Sequence, residues 1–228
     1  VRPFVSVARS VLDRALDLAL PAACAGCGRE GRALCATCAR PLDARADAPP
    51  GVPIGLPADL PEPLLQLEWC APFHATVRSA LHAIKYGGEQ RLAEPLGAAV
   101  ARRWARSGVG TDIVTNVPVH VDRARRRGYD QAELIGRVAA RQLGLPFVPL
   151  LERTRATTAQ FDLDRADRAA NVAGAFAVTP GVAATLRGRW VLLVDDVVTT
   201  GATLSACASA LESAGALGVS AIAVARER

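Results

Sequence analysis

Apolar residues at Phe4, Val7, Ala8, Val11, Leu12, Ala15, Leu16 and Ala19 follow i, i+3, i+4 spacing, which predicts an amphipathic helix over residues 4 to 20, ended near Pro21. Its polar face mixes Asp with Arg, so it is read as docking on a core and not as lying on a membrane. Between Pro41 and Pro63 the chain carries seven of its fifteen prolines and shows neither helical nor strand periodicity, the pattern of an extended linker or wrapping arm. From Trp69 onward the pattern changes. Helical spacing recurs over 74 to 85, 89 to 106, 130 to 143 and 202 to 215. Short apolar runs at 112 to 119, 146 to 150, 174 to 178, 189 to 197 and 218 to 226 read as strands. Strands alternating with helices predict an α/β fold, a mostly parallel sheet with helices on both faces. The expected division is 1–42, an N-terminal helix and cysteine module; 43–68, the proline-rich arm; and 69–228, the α/β domain.

Composition narrows the classes. A chain of 228 residues, 50% hydrophobic and 21% charged, can bury a full core with a small appendage and is not a disordered protein. Six cysteines are too few for a disulfide-built scaffold, and no N-terminal segment combines a basic start, an apolar run and a small-residue cleavage site. No run of about 18 apolar residues free of charge occurs, so no integral membrane segment is expected, and a cytoplasmic location is. The net charge of +5 permits affinity for phosphates or nucleic acid. Of 27 basic residues only Lys85 is a lysine, and a compact ammonium is not equivalent to a guanidinium fork.

Two motifs carry chemistry. Cys24-x2-Cys27-x7-Cys35-x2-Cys38 pairs two C-x2-C steps, with Gly26 and Gly28 for the tight turns; tetrahedral Zn²⁺ is its natural occupant. Four thiolates make such a site closed and structural, while Cys70 and Cys207 read as ordinary buried thiols. The second motif runs from Val191 to Thr203. Four apolar residues make a buried strand, Asp195 and Asp196 stand at its C-terminal end, and a Thr199-Thr200-Gly201-Ala202-Thr203 turn feeds a helix. Ligands of open parallel sheets bind at that edge. The helix N-terminus and three hydroxyls form a cradle for a phosphate monoester. The carboxylates suit vicinal hydroxyls or a divalent cation carried in with a second phosphate, and a sugar phosphate fits both halves.

The second motif is similar to the phosphoribosyl pyrophosphate (PRPP) binding motif of type I phosphoribosyltransferases. With an N-terminal helix ending in LP, the four cysteines, IKYGGE at 84 to 89, VPVHVDRARRRGYDQAELIG at 117 to 136 and TTAQFDLDRADRAANVAGAF at 157 to 176, the chain resembles the ComF family over nearly its whole length. That family comprises competence-associated, predicted phosphoribosyltransferases. The resemblance implies a type I phosphoribosyltransferase-like parallel sheet with a small N-terminal zinc module, binding PRPP with Mg²⁺ and structural Zn²⁺. It implies that Asp195 and Asp196, the catalytic pair, hold the ribose hydroxyls, with Val197 beside them, and that Thr199, Thr200, Gly201, Ala202 and Thr203 bind the 5′-phosphate. The loop after Val117-Pro118, with Val119 and His120, then faces the pyrophosphate, and Lys85 and Arg127 join the PRPP site.

This chain departs from the family pattern in three places. A further C-x2-C pair is missing, Arg127-Gly128-Tyr129-Asp130-Gln131 stands where the pattern reads RGFNQ, and His74 stands in place of a tyrosine. Arg123, Arg125, Arg126 and Arg127 could neutralise a diphosphate, track a nucleic-acid backbone or form a solvated face. Residues 152 to 171 are long enough to act as a water-excluding lid, in which Arg153, Gln160, Arg168 and Asn171 match the family pattern. His74, His82 and His120 are candidates to deprotonate an acceptor, and equally structural histidines. Two functions stand. One is a PRPP-dependent transferase with an unassigned acceptor, linked to DNA uptake. The other is a non-catalytic competence factor that binds single-stranded DNA or the competence machinery and keeps the PRPP site as sensor or remnant.

Overall fold

A computed structural model describes residues 22–50, 60–154 and 174–227. The helix expected over 4 to 20, and Gln160, Arg168 and Asn171 of the expected lid, lie outside the described residues. After the cysteine module come α1 (Ala36–Ala39) and a 3-10 turn (Arg40–Asp43). The order is then β1 (Gln66–Pro72), α2 (Ala75–Tyr86), α3 (Ala93–Ser107), β2 (Ile113–Asn116), α4 (Val121–Arg127), α5 (Gln131–Leu143), β3 (Leu151–Arg153) and β4 (Phe176–Val178). α6 (Ala183–Leu186), β5 (Trp190–Val198), α7 (Ala202–Ser213) and β6 (Gly218–Arg226) complete it.

Four strands form one sheet in the order β1-β6-β5-β2, and every neighbouring pair is parallel. Because side chains alternate across a strand, the apolar run of β5 serves two cores at once. Val191 and Leu193 meet Leu204, Cys207 and Leu211 of α7 on one face. Leu192 and Val194 meet Leu81 and Ile84 of α2, Leu96 and Val100 of α3 and Ile135 of α5 on the other. Each of these fully buried leucines contributes about 1.5–3 kcal/mol. Gly97 lets α3 and α5 close up: a Cβ there would stand 2.5 Å from the Cβ of Val138 and 2.7 Å from the carbonyl of Ile135.

The structure corrects three expectations. Residues 146 to 150 do not form a strand of the sheet; Val114 and Phe147 make a single parallel bridge, with Val114 N–H on Pro146 O and Val148 N–H on Val114 O. Pro146 and Pro149 have no N–H to extend that ladder. The run expected at 174 to 178 is the short β4, which pairs antiparallel with β3 in a separate two-stranded sheet and seats Leu151 and Phe176 on the α7 face. β1 begins at Gln66, inside the stretch read as arm, and is an edge strand paired with β6. The arginine run at 123 to 127, to which periodicity assigned no element, lies on a helix, α4, capped by Gly128 at φ 78°.

A buried ion pair fastens the arm to the sheet edge. Glu68 of β1 and Arg103 of α3 are both essentially inaccessible, and Arg103 donates from Nε (3.1 Å) and Nη2 (2.6 Å) to one carboxylate oxygen. Its remaining donors reach the carbonyls of Arg45 (2.7 Å), Ala48 and Pro49 (3.1 Å). Residues 43–50 are therefore wrapped against the core by backbone acceptors, which any side-chain sequence could supply. Removing one member of such a pair leaves the other charged and unsatisfied. Arg103→Met is expected to lower the unfolding free energy by about 3–5 kcal/mol in urea titrations, and Arg103→Met with Glu68→Leu to recover much of it; a single-variant loss under about 1 kcal/mol would contradict this assignment.

Candidate functional site

All four strands of the main sheet end at one edge, and the predicted site residues gather there. Asp195 and Asp196 close β5 and point to opposite faces by strand alternation. Asp196 is buried between α2 and α5, where its Oδ2 accepts from Lys85 Nζ at 2.8 Å and from Gln131 Nε2 at 3.0 Å. Gln131 Oε1 in turn accepts from Arg127 Nη1 at 2.9 Å, and the Arg127 guanidinium lies 5.0 Å over the Tyr86 ring. The only lysine of the chain is thus engaged by the second acid of the motif. Burial alone would depress the Lys85 pKa; the charge of Asp196 and its hydrogen bond outweigh it and the pKa is raised. Asp195, whose Oδ1 accepts the Asp196 N–H at 2.8 Å, is pushed well above the usual carboxylate range by burial first and by the neighbouring Asp196 second.

Asp130 does more than the asparagine of the family pattern could. Oδ1 caps α5, accepting from Ala132 N–H (2.9 Å) and Glu133 N–H (3.2 Å). Oδ2 accepts from Val119 N–H (2.9 Å) and Asn116 Nδ2 (3.2 Å), which bolts the loop after β2 to the helix. All four bonds are accepted, as suits an ionised carboxylate, while burial raises its pKa against those donors. Tyr129, the other altered residue of that segment, donates its hydroxyl to Ile84 O and ties the α4–α5 turn to α2. Val119 N–H is accordingly committed to Asp130. His120 caps α4, its Nδ1 accepting from Asp122 N–H at 3.3 Å.

In the threonine loop, Gly201 takes φ 82° and a Cβ there would stand 2.7 Å from Pro61 Cγ, so both conformation and space demand glycine. Thr200 Oγ1 accepts from Ala202 N–H at 3.4 Å, Thr199 is exposed, and α7 starts directly behind. Arg125 and Arg126 are exposed on α4, and Arg153 stacks 5.3 Å over Phe176. Gln131, Asn116 and Pro61 were missed from the sequence. Gln131 had a signal: it directly follows the helix cap Asp130 in the Arg127-Gly128-Tyr129-Asp130-Gln131 segment.

The cysteines form a second centre. The sulfurs of Cys24, Cys27, Cys35 and Cys38 lie within 4.8 Å of one another. Cys27 and Cys35 are 3.8 Å apart, which matches the edge of a tetrahedron with Zn–S bonds of about 2.3 Å. Burial would raise the Cys24 pKa, but the N–H groups of Cys35, Cys27 and Gly26 outweigh it and bring it down to about 6. The residues therefore fit a thiolate-bound cation. A Cβ at Gly26 would stand 2.8 Å from Cys38 Sγ and 2.9 Å from Thr76 Cγ2, so this knuckle is pressed on the first turn of α2. Cys70 and Cys207 are buried and lie apart from the cluster.

The sequence model of the phosphoribosyl transferase domain matches residues 91–228, and the chain belongs to that family. Within it the chain is a ComF-like protein of phosphoribosyltransferase type, by its likeness to DNA utilization proteins along most of its length and to a competence protein over less than half of it. The DNA utilization protein YhgH of Salmonella typhimurium is 29% identical over 199 residues, 85% of this chain and 84% of that one. YhgH of Escherichia coli K12 is 29% identical over 202 residues, covering 86% and 85%. Competence protein F of Haemophilus influenzae is 34% identical over 105 residues, 46% of this chain and 45% of its own. Among solved structures, glutamine PRPP amidotransferase from B. subtilis, complexed with ADP and GMP, is 25% identical over 57% of this chain and a quarter (25%) of its own, with a TM-score of 0.39. Lys85 and the four clustered cysteines lie outside the matched 91–228.

Two outcomes follow from this geometry. Metal analysis of purified protein is expected to find about one zinc per chain bound by the four thiolates, with a lower melting temperature after chelation; unchanged melting of metal-free protein would remove the assignment. An acid whose pKa rises on folding holds its proton more tightly when folded. Its contribution to stability therefore falls as pH climbs from the ordinary value of 3.8 toward the raised one, and stays lost above. Asp195→Asn should then melt above the wild type at neutral pH and lose that advantage in acid below 3.8.

Proposed function

We propose that the chain binds PRPP at the C-terminal edge of β5 and transfers its phosphoribosyl group to an acceptor. The observation that supports this best is the convergence at one strand end of two acids, a threonine–glycine loop at a helix start, and Lys85 and Arg127 brought in from two other helices. In this reading Asp195 and Asp196 hold the ribose hydroxyls. Thr199 to Thr203 take the 5′-phosphate, and the Val117–His120 loop with Lys85 and Arg127 faces the diphosphate. Asp130 keeps that loop in place, so that binding need not order it. Mg²⁺, bound with the diphosphate near the carboxylates, would supply charge neutralisation for the leaving group. Displacement at C1 passes through a cation-like state. In this reading the two acids stabilise developing positive charge; burial raises the Asp195 pKa and so disfavours its ionised form, which a cationic partner would favour. The names of the relatives support a role in DNA uptake or utilization.

A second reading, binding of single-stranded DNA as a competence factor, is favoured by a run of rings. Phe73, just before α2, and His82 and Tyr86 on it lie 6.2 and 5.6 Å apart in turn, between Arg78 (6.0 Å from Phe73) and Arg127, and Tyr86 is 71% exposed. Such interleaving suits stacking of successive bases.

Isothermal titration of PRPP with and without Mg²⁺ tests the first reading. Asp195→Asn with Asp196→Asn should weaken binding more than tenfold while circular dichroism shows an unchanged fold; unaltered affinity would remove the ribose assignment. DNA binding that falls steeply with salt and weakens in Tyr86→Ala, in a protein without PRPP affinity, would establish the second.

A further inference from the structure

At the C-terminal ends of β1 and β6 lies a cavity of about 630 Å³ that the reading above does not use. Its walls include Arg45 from the arm, Trp69, Phe73, His74, Arg226 and Glu227. We propose that it binds a small planar carboxylate, an aromatic or heteroaromatic acid. Its volume is that of an ordinary small-molecule site.

Charge sets the sign of the ligand. The Trp69 indole, 4% exposed, is stacked by two guanidiniums, Arg45 at 4.0 Å and Arg226 at 5.0 Å, and so holds two cations beside the cavity. Among the described residues Glu68 is the only carboxylate within 4 Å of Arg45, and Arg103 already takes it through two bonds. Arg45 Nη2 stands 3.7 Å from that carboxylate, beyond hydrogen-bond reach, and its buried Nε has no hydrogen-bond partner. Burial, and next the charge of Arg103, push the Arg45 pKa down, which marks a guanidinium the protein leaves under-compensated. Arg45 is thus the guanidinium of the lining that a ligand carboxylate would complete. Shape follows from the other walls. Phe73 is partly exposed and His74 exposed, and these rings beside guanidinium forks favour a flat group with a two-oxygen acceptor.

The cavity neighbours the phosphate loop. Arg226 is in register with Val198, the residue before Thr199, and Glu227 N–H donates to Val198 O at 2.9 Å. The cavity thus opens one strand from the loop, about 4.8 Å in the hydrogen-bonding direction. Resting on the PRPP reading, the pocket is the acceptor's. A ring-nitrogen lone pair forms the bond to C1 while the C1–O bond breaks and pyrophosphate leaves with the electron pair.

The test is isothermal titration of the full, zinc-loaded chain with pyridine-3-carboxylate, its neutral amide and cyclohexanecarboxylate, without PRPP. The planar acid is expected to bind at least tenfold tighter than either control. Arg45→Met should bring it to the level of the amide, with zinc content and melting temperature unchanged. Phe73→Leu, which keeps every charge, should remove the preference for the flat ring and not that for the acid. Equal affinity for acid and amide, or a preference that survives Arg45→Met, would overturn the proposal. PRPP titrated separately tells the two readings apart: acid binding in a chain that ignores PRPP keeps the pocket and removes its acceptor role, and the converse removes the pocket alone.

Discussion

An ionised carboxylate at the end of a strand that is covered on both faces stays there only if positive charge and hydrogen-bond donors come to it. Asp196 is in that position, and Lys85 and Gln131 are what come. Because the ammonium sits on α2 and the amide on α5, satisfying one carboxylate fixes the two helices against β5 at the edge where ligands bind. The chain of contacts runs on through Arg127 to Tyr86 and returns to α2 through Tyr129 and the carbonyl of Ile84. Lys85 and Arg127 of the proposed diphosphate side are thereby positioned through Asp196, and a ligand that draws on Asp196 must be felt by α2, α4 and α5 together.

A second buried acid, Glu68, performs the same service for the arm. Here the guanidinium of Arg103 divides its donors between the carboxylate and three backbone carbonyls, so the path of residues 43–50 depends on a side chain far away in sequence. The cysteine knuckle is pressed on α2 at Thr76 and the arm that follows it lies across β1. The arm that follows the N-terminal module supplies Arg45 to the cavity wall, and the four clustered cysteines, though distant from Asp195 in sequence, belong to the same side of the molecule as α2.

The two acids of the motif do different work. Asp196 is compensated by the protein, whereas Asp195 accepts a backbone N–H and is held toward its protonated form. Keeping one carboxylate satisfied and the other short of positive charge costs stability at neutral pH, a cost that in the proposed reading serves a cationic or hydroxyl-rich partner. Asp130 shows a third arrangement, in which four accepted bonds turn a carboxylate into a structural clamp.

Much was legible in the chain itself. The apolar run of β5 with its two acids, the threonine–glycine turn, the helices at 74 to 85, 89 to 106, 130 to 143 and 202 to 215 and the spacing of Cys24, Cys27, Cys35 and Cys38 are local patterns, and local patterns follow from steric and hydrophobic periodicity. The edge of the fold was not legible. Residues 146 to 150 could not be told from a strand by apolarity, since only the missing N–H groups of Pro146 and Pro149 and the neighbour available at β2 decide how far the ladder runs. Nor could periodicity show that β1 begins at Gln66, because an edge strand that follows a proline-rich arm has only one neighbour, β6, and that neighbour is the last element of the chain. By itself, then, the sequence determined where the two acids, the threonine–glycine turn and the cysteine knuckle stand, because each of those motifs lies within a dozen or so positions and its geometry follows from a turn or a helix start. Tertiary structure alone decided which charges meet. Lys85 could have faced solvent, Gln131 could have been one more helix-start amide, and Arg45 could have been part of a linker; each takes its role from a partner on another element, at Asp196, at Arg127 and at Trp69. Long-range pairing of buried charges depends on how helices and strands pack, and no local spacing records that.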